Sequence, residues 1–298
     1  MKFEIIDTHA IYQRLLATED AAAREARFTD ALVTPFTGLV NIMGGGDGLT
    51  TFKGWGMSPD QFAGDARALM TDIIDALAAH DAWTQAAAAL DEGWAAFAKY
   101  ADRIPRIPVE HIVFALVIAD MRAFPAGQRY AGFGAIPGYI MTSYGESDPA
   151  SIAHIKGATA HELHHNILAS VSPERSMIAA VGNYIVAEGL AESFARERYG
   201  DEVVGYYVTA FDEARLDETR ALIGGALDIS DFGAIRGYIF GDSIAEQFGL
   251  PKQGIPAYAG YAIGYKVVQQ YLARTGQTVV EATFVPADQI IAESGFFA

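Results

Sequence analysis

The chain contains no cysteine among its 298 residues. Thiol nucleophiles, disulfide frameworks, iron–sulfur clusters and zinc–thiolate sites are therefore excluded, and any zinc has to be bound by histidine and carboxylate side chains. Positive charge is also scarce: 21 lysines and arginines stand against 37 aspartates and glutamates, which gives a net charge of −16. So acidic a protein repels phosphate backbones and anionic lipid, and we expect neither nucleic acid nor a membrane surface as its main partner.

Long hydrophobic runs are missing too. The best apolar run, around Ile112–Ile118, is far shorter than the roughly 18–20 residues that a membrane span needs. The first residues, MKFEIID, do not place a cationic segment before an apolar one, so no secretory signal is indicated and we expect a cytoplasmic protein. Hydrophobic residues nevertheless make up 51% of the chain, enough for one large domain or two modest ones whose core needs no disulfide or metal.

The residue pattern predicts an α+β fold, with a soft domain boundary near residues 104–108, around Pro105 and Pro108. Residues 1–105 are expected to form an N-terminal helical region, with one helix opened by the N-cap Ser58 and continuing to Leu77, and an alanine-rich helix at 82–100. Residues 106–298 are expected to contain a small sheet followed by helices. The predicted strands are His111–Ala119 and Gly138–Tyr144, and the predicted helices are about 149–170, 175–198, 202–223 and 258–274.

The segment HELHH at residues 161–165 carries the chemistry. On a helix, His161 and His165 are about 40° apart on one face and can bind one cation together. Glu162 projects about 100° from His161, beside the metal, where it can take a proton from a metal-bound water. A chance match is disfavoured because Lys156 is the one charged residue in the flanks and the segment has room for a long helix. His164 is expected to face the body of the protein.

A third metal ligand has to be a carboxylate, because His165 is the last histidine of the chain. The metzincin extension is absent, since Leu168 and Val171 stand where glycine and histidine would be needed. Glu188 follows His165 by 23 positions, which leaves room for a turn and a second helix. Glu192 lies one turn beyond it and can hydrogen-bond the outer nitrogen of a ligating histidine. Their apolar neighbours disfavour the alternative that both glutamates lie on a solvated face.

The HELHH helix followed by the EGLAE segment at 188–192 resembles the gluzincin type of zinc peptidase, and more narrowly the family of predicted Zn-dependent proteases known as DUF2268. Residues 256–268, PAYAGYAIGYKVV, resemble the family's GYxxGYxxV helix, and residues 286–295 resemble its C-terminal segment. The resemblance covers about residues 110–298. It implies a zincin-like metallopeptidase domain, mostly helical, with a small sheet beside the HExxH helix and Zn²⁺ held by His161, His165 and Glu188.

Three tyrosines, Tyr258, Tyr261 and Tyr265, recur at helical spacing within the GYxxGYxxV-like segment. The gluzincin pattern implies that one phenol donates a hydrogen bond to the oxyanion of a tetrahedral intermediate, without fixing which one. We favour Tyr261 for this role, with Tyr265 in reserve. The alternative for each tyrosine is a structural role in an aromatic stripe of the core.

The residues together predict a zinc-dependent peptidase acting on a peptide or protein substrate. The metal polarises the scissile carbonyl and activates a water, and Glu162 is the general base. Two alternatives stay open: a catalytically inert binding protein on a zincin scaffold, and a metal-dependent hydrolase of a non-peptide amide or ester. An intact Glu162 argues against the inert protein, because binding alone needs no base. The sequence predicts no particular oligomeric state.

The strand expected at Gly138–Tyr144 bears on substrate binding. It ends 17 positions before His161, and its alternating side chains are typical of a strand with one exposed edge. We expect this edge to pair with an extended substrate, backbone to backbone, which favours peptides over esters or sugars. The alternative is an interior strand that is paired on both sides and has no free edge.

Overall fold

The computed structural model describes residues 1–104, 110–124, 128–172 and 179–298. Most of these residues are helical, and four strands form one small mixed sheet, which agrees with the predicted α+β class. Pro105 and Pro108, around which the domain boundary is expected, lie outside the described residues. None of the helices in the described ranges combines the length and the apolarity that a bilayer span requires.

The sheet has the strand order β1-β2-β4-β3. Its strands are β1 (Lys2–Ile5), β2 (His111–Ile118), β3 (Tyr130–Phe133) and β4 (Tyr139–Tyr144). Strand β2 is parallel to both β1 and β4, whereas β3 is antiparallel to β4. The sequence predicts β2 and β4, because both are rich in β-branched or aromatic residues and bounded by turn signals. It misses β1 and β3, which have four residues each and are too short to show a period.

Strand β4 is an interior strand, so the expectation that it offers a free edge is wrong. It is paired with β2 along one side and with β3 along the other. Five of its six residues are buried, and α8 (Ile155–Val171) packs against the strand. Within the described residues β3 pairs with β4 alone and forms the edge of the sheet.

The N-terminal helices precede the central strand. They are α1 (Thr8–Leu16), α2 (Ala21–Phe28), α3 (Thr37–Ile42), α4 (Gly48–Gly54), α5 (Ala66–Ala79) and α6 (Ala82–Phe97). The helix expected from Ser58 to Leu77 is divided: Ser58 caps a short 3-10 helix, Pro59–Phe62, and α5 begins only after Gly64. Gly64 has a φ of 54°, a left-handed conformation that interrupts a right-handed helix. The helix predicted at 82–100 is confirmed, with a 3-10 turn, Ala98–Tyr100, as its end.

Ten α-helices of the described residues follow the sheet. They are α7 (Pro149–Ile152), α8 (Ile155–Val171), α9 (Val181–Tyr199), α10 (Tyr206–Thr209), α11 (Leu216–Gly224), α12 (Phe232–Phe240), α13 (Asp242–Gln247), α14 (Ala259–Thr275), α15 (Val279–Ala282) and α16 (Ala287–Ser294). The predicted helices correspond to α7 with α8, to α9 and to α14, although residues 175–178 of the second lie outside the described residues. The helix predicted at 202–223 is wrong, because the segment is broken around Gly205, whose backbone N–H donates to Glu192 instead of to a helical carbonyl.

Helices α8, α9 and α14 form the buried centre of the C-terminal half. Helix α9 packs against α8 on one side and against α14 on another. A Cβ added to Gly264 of α14 would lie 1.9 Å from the Ile185 carbonyl oxygen, and one added to Gly189 of α9 would lie 2.1 Å from the Gly264 oxygen. These two glycines let the helix backbones touch, which holds the EGLAE and GYAIGY segments side by side.

The hydrophobic core is continuous between the N-terminal and C-terminal residues. Tyr12 of α1, Ile112 of β2 and Ile290 of α16 belong to the same cluster of buried side chains. Strand β1 adds to the edge of β2, so the first residues of the chain are part of the sheet that supports α8. The division into residues 1–105 and 106–298 stays a prediction.

Candidate metal centre

Helices α8 and α9 bring two imidazoles and a carboxylate together. His161 Nε2 lies 2.9 Å from His165 Nε2 and 3.2 Å from Glu188 Oε2, and His165 Nε2 lies 3.4 Å from the same oxygen. A tetrahedral zinc with ligand bonds of about 2.0–2.1 Å separates its ligand atoms by about 3.3 Å. Within the described ranges, no other group of three histidine, aspartate or glutamate side chains is close enough to hold a metal. The spacing and the donor set therefore fit Zn²⁺.

The burial and charges of the three side chains favour a cation between them. All three are buried, at 5% exposure for each histidine and 3% for Glu188. Burial raises the pKa of Glu188, but His165 and His161 lower it more strongly, so that its pKa falls to about 2. Burial lowers the pKa of His161, whereas Glu188 and Glu192 raise it, and the resulting pKa is well above the ordinary value. The carboxylates thus stabilise positive charge at the position that a divalent metal ion would take.

Glu192 makes the hydrogen bond that the sequence predicts for it. Its Oε2 lies 3.0 Å from His161 Nδ1 and accepts a hydrogen bond of 2.8 Å from the Tyr207 hydroxyl, while its Oε1 accepts one from the Gly205 N–H. With the Nδ1 proton donated to Glu192, the Nε2 lone pair of His161 faces the metal position. Tyr207 and Gly205 are missed from sequence, because their contact depends on how the chain after α9 folds back over Glu192.

Glu162, the expected base, is buried against the edge strand. A Cβ added to Gly132 of β3 would lie 2.1 Å from Glu162 Oε1, and one added to Gly134 would lie 2.1 Å from the Glu162 carbonyl oxygen. Burial raises the pKa of Glu162, while His161 and His165 act against this, and the resulting pKa lies above the ordinary value. Gly132 gave no signal in the sequence, because its importance comes from the closeness of β3 to α8.

Asn166 ties the turn between β3 and β4 to α8. Its side-chain Nδ2 donates to the carbonyl oxygens of Gly134, Ile136 and Tyr139 at 2.8–3.0 Å, and its Oδ1 accepts from the Gly138 N–H at 3.0 Å. The residue directly after the HELHH segment therefore sets the position of the strand edge over the metal centre. In the sequence, nothing distinguishes Asn166 from the other uncharged residues that flank HELHH.

A cavity of about 480 Å³ opens over the candidate metal centre formed by His161, His165 and Glu188, within the range of ordinary ligand sites. Glu162 and the three candidate ligands line it together with Tyr261 and Tyr207, and Tyr265 is not among the lining residues. The Tyr261 ring lies 4.9 Å from the Tyr207 ring. Burial raises the pKa of Tyr261 well above its ordinary value, so its hydroxyl stays protonated and can donate a hydrogen bond.

His164 points away from this cavity, as the sequence predicts. It is fully buried, and its Nε2 lies 3.0 Å from the Thr283 hydroxyl. Its ring lies against those of Phe97 and Phe194, at centroid distances of 6.0 and 5.6 Å. It is a residue of the core and contributes nothing to the metal centre.

Residues 83–292 match the protein family described as "Predicted Zn-dependent protease (DUF2268)". The chain belongs to the DUF2268 family. The matched range contains β2, β3, β4, α8, α9 and α14, and hence every residue of the metal centre. A curated relative, the uncharacterized protein YjfC of Bacillus subtilis (strain 168), is 39% identical over 193 residues, which cover 65% of this chain and 64% of YjfC. The chain thus matches less than two thirds of that relative's length. No solved structure matches this DUF2268 protein.

Proposed function

We propose that the chain is a zinc-dependent peptidase of the gluzincin type, with a zincin-like catalytic half. The observation that carries this proposal is the arrangement of His161, His165 and Glu188 within 3.4 Å of one another, with Glu162 beside them on the same cavity. The family description supports the same class of enzyme. An inert binding protein would not need a buried carboxylate next to the metal position.

The chemistry divides between the metal and the protein. Zinc, when held by His161, His165 and Glu188, supplies a Lewis acid that polarises the scissile carbonyl and lowers the pKa of a water. The carboxylate of Glu162 accepts the proton from the attacking water and, once protonated, donates it to the leaving amine. Its raised pKa suits this task, because the proton has to be held between the two steps.

Tyr261 is the proposed donor to the oxyanion that forms as the carbonyl carbon becomes tetrahedral. It lines the cavity, whereas Tyr265 does not. Tyr261→Phe should lower kcat by about 10²-fold or more and leave the bound zinc in place. Tyr265→Phe removes a tyrosine hydroxyl from the same helix, α14, but outside the cavity, and should retain nearly full activity. Equal activity of Tyr261→Phe and wild type would remove Tyr261 from this role.

The substrate is proposed to pair with β3 and not with β4. Strand β3 lines the cavity with all four of its residues, Tyr130–Phe133, and its outer edge pairs with no other strand of the described residues. An extended peptide added to this edge by main-chain hydrogen bonds places one of its carbonyls over the metal centre. This recognition mode favours peptides over esters or sugars.

Digestion of a peptide library, read by mass spectrometry, tests the function. Wild type is compared with Glu162→Gln, whose amide cannot accept the proton, and with Glu202→Gln, an exposed glutamate outside the cavity as a matched control. Zinc content is measured in all three proteins. Cleavage by wild type and the control but not by Glu162→Gln, with equal zinc, supports the proposal. Equal cleavage by Glu162→Gln refutes the role of the base, and cleavage by none of the zinc-loaded proteins favours an inert binding protein.

A further inference from the structure

A second cavity, of about 150 Å³, adjoins the first across the edge strand. The two cavities share four lining residues: Phe124, Ala131, Gly132 and Phe133. The second cavity is lined by N-terminal residues on one side and by the sheet on the other. These residues are Leu39, Met43, Trp55 and Met57 from the N-terminal helices and their connections, and Met141 and Ser143 from β4.

The second cavity lies on the face of the sheet opposite α8, the helix that carries HELHH. Gly132 of β3 faces α8, since its position is in contact with Glu162. Its neighbours Ala131 and Phe133 therefore point to the other face, because side chains alternate along a strand. They are in register with Ser143 and Met141 of β4, which line the second cavity. Strand β3 is thus the wall between the metal centre and an apolar cavity.

We propose that this second cavity is a specificity pocket that binds a large apolar side chain, aromatic or aliphatic, of the peptide substrate. The inference rests on the proposed peptidase function. A peptide added to the outer edge of β3 presents alternate side chains to opposite faces of the sheet. When one side chain points toward α8 and the metal centre, the next points toward the second cavity.

The lining selects the chemistry of that side chain. Of the described residues that line the second cavity, all are apolar except Ser143, and none is charged. A charged or strongly polar side chain would lose its hydration there without gaining an equivalent partner. A cavity of about 150 Å³ lined by apolar side chains is large enough for a benzene ring. Met43 and Met57 add flexible walls that can adapt to either an aromatic or a branched aliphatic group.

The pocket also gives the N-terminal region a role in the reaction. Leu39, Met43, Trp55 and Met57 all precede residue 83, at which the match to the family begins. The metal centre and β3 lie within the matched range. The proposed catalytic residues therefore lie in the part of the chain that matches the family, whereas one wall of the pocket comes from residues before that match.

Two neighbouring apolar residues allow a matched test. Met43 and Ile42 are 50% and 61% exposed at the end of α3, and Met43 lines the pocket whereas Ile42 does not. Either residue can be replaced by aspartate with little effect on the core. Two substrates are compared. One is a peptide that wild type cleaves in the library and that has phenylalanine next to the scissile bond, and the other is the same peptide with serine at that position. Wild type should cleave the phenylalanine peptide with a kcat/KM about 10-fold higher or more.

Met43→Asp should reduce this preference in kcat/KM to less than about threefold, because a carboxylate at the entrance of the pocket disfavours binding of an apolar side chain. Ile42→Asp should preserve the preference. Equal effects of the two substitutions, or no preference in wild type, would overturn the inference while leaving the peptidase function intact. Binding of both peptides to Glu162→Gln, measured by fluorescence anisotropy, separates the two proposals. The pocket is supported if Glu162→Gln binds the phenylalanine peptide more tightly than the serine peptide and if adding Met43→Asp abolishes this difference, even when wild type cleaves neither peptide. Equal binding of both peptides to Glu162→Gln refutes the pocket.

Discussion

Gly132 of the edge strand is in direct contact with the carboxylate of Glu162: a Cβ at Gly132 would lie 2.1 Å from Glu162 Oε1. The backbone of the strand proposed to hold the substrate is therefore packed against the proposed base. Any side chain at position 132 would have to displace the Glu162 carboxylate, because this carboxylate lies between its own helix, α8, and strand β3. In the proposed binding mode, the absence of a side chain at position 132 lets the substrate strand and the base lie close together.

Gly132→Ala should reduce kcat/KM by about 10- to 100-fold, since a displacement of about 1 Å in a catalytic group costs that much. Zinc content should not change, because the three atoms nearest to a Cβ added at Gly132 all belong to Glu162 and none to His161, His165 or Glu188. Gly54→Ala is the matched control, as an added Cβ there meets nothing within 4 Å. Full activity of Gly132→Ala on the peptides that wild type cleaves would show that Glu162 is not the base or that its position is not critical.

Glu192→Gln should weaken zinc binding by about 10- to 100-fold, the usual cost of removing the partner of a metal-ligating histidine. An amide supports the His161 Nδ1 proton less strongly than a carboxylate does. Competition with a chelator of known affinity measures the effect. Glu197→Gln, on the same helix but bonded to the Val279 N–H, should bind zinc as wild type does. Unchanged zinc affinity in Glu192→Gln would contradict the role given to this residue.

The fold and the site differ in how far they can be predicted. Strands β2 and β4 and helices α8, α9 and α14 follow from residue pattern alone, and so does the spacing that brings His161 and Glu188 together. These predictions succeed because they depend on neighbours along one helix or on two long, strongly patterned helices. Even Glu192 could be assigned its hydrogen bond, since it lies one turn after Glu188.

The parts that could not be predicted depend on contacts between distant segments. Strand β3 has four residues, too few to show a pattern, and without β3 the sequence predicts a free edge on β4. Gly132, Asn166 and Tyr207 show their importance only once β3 lies on α8 and the chain after α9 folds back over Glu192. The pocket beyond β3 is formed by residues more than 100 positions apart in the chain, such as Leu39 and Met141, so no local sequence pattern can indicate it.

Asn166→Ala should destabilise the metal-free protein by on the order of 3 kcal/mol, because it removes four side-chain hydrogen bonds, two of which serve the buried Gly138 N–H and the buried Gly134 carbonyl. The four hydrogen bonds lost all hold the turn between β3 and β4. Denaturation by urea gives the free energy of unfolding. Asn41→Ala, at an exposed position on α3, should change it by less than about 0.5 kcal/mol. A similarly small change in Asn166→Ala would mean that the turn is held by other contacts.

Zinc should stabilise the folded protein. Binding to the native state alone adds about 2.7 kcal/mol at a free zinc concentration 100 times the Kd. The midpoint of thermal unfolding should rise with added zinc and fall with a chelator. Magnesium, which prefers six oxygen ligands, should have no such effect at a site of two imidazoles and one carboxylate. Equal stabilisation by both metals would point to binding at surface carboxylates instead.

Zinc stoichiometry tests the central claim most directly. The claim is that His161, His165 and Glu188 hold one zinc ion per chain. Elemental analysis is applied to protein purified without added metal and then equilibrated with zinc and dialysed, for wild type, His165→Ala, Glu188→Ala and the exposed control His80→Ala. The account predicts one zinc per chain in wild type and the control, and almost none in the other two variants. Zinc that is absent from wild type, or retained undiminished in His165→Ala and Glu188→Ala, would contradict it.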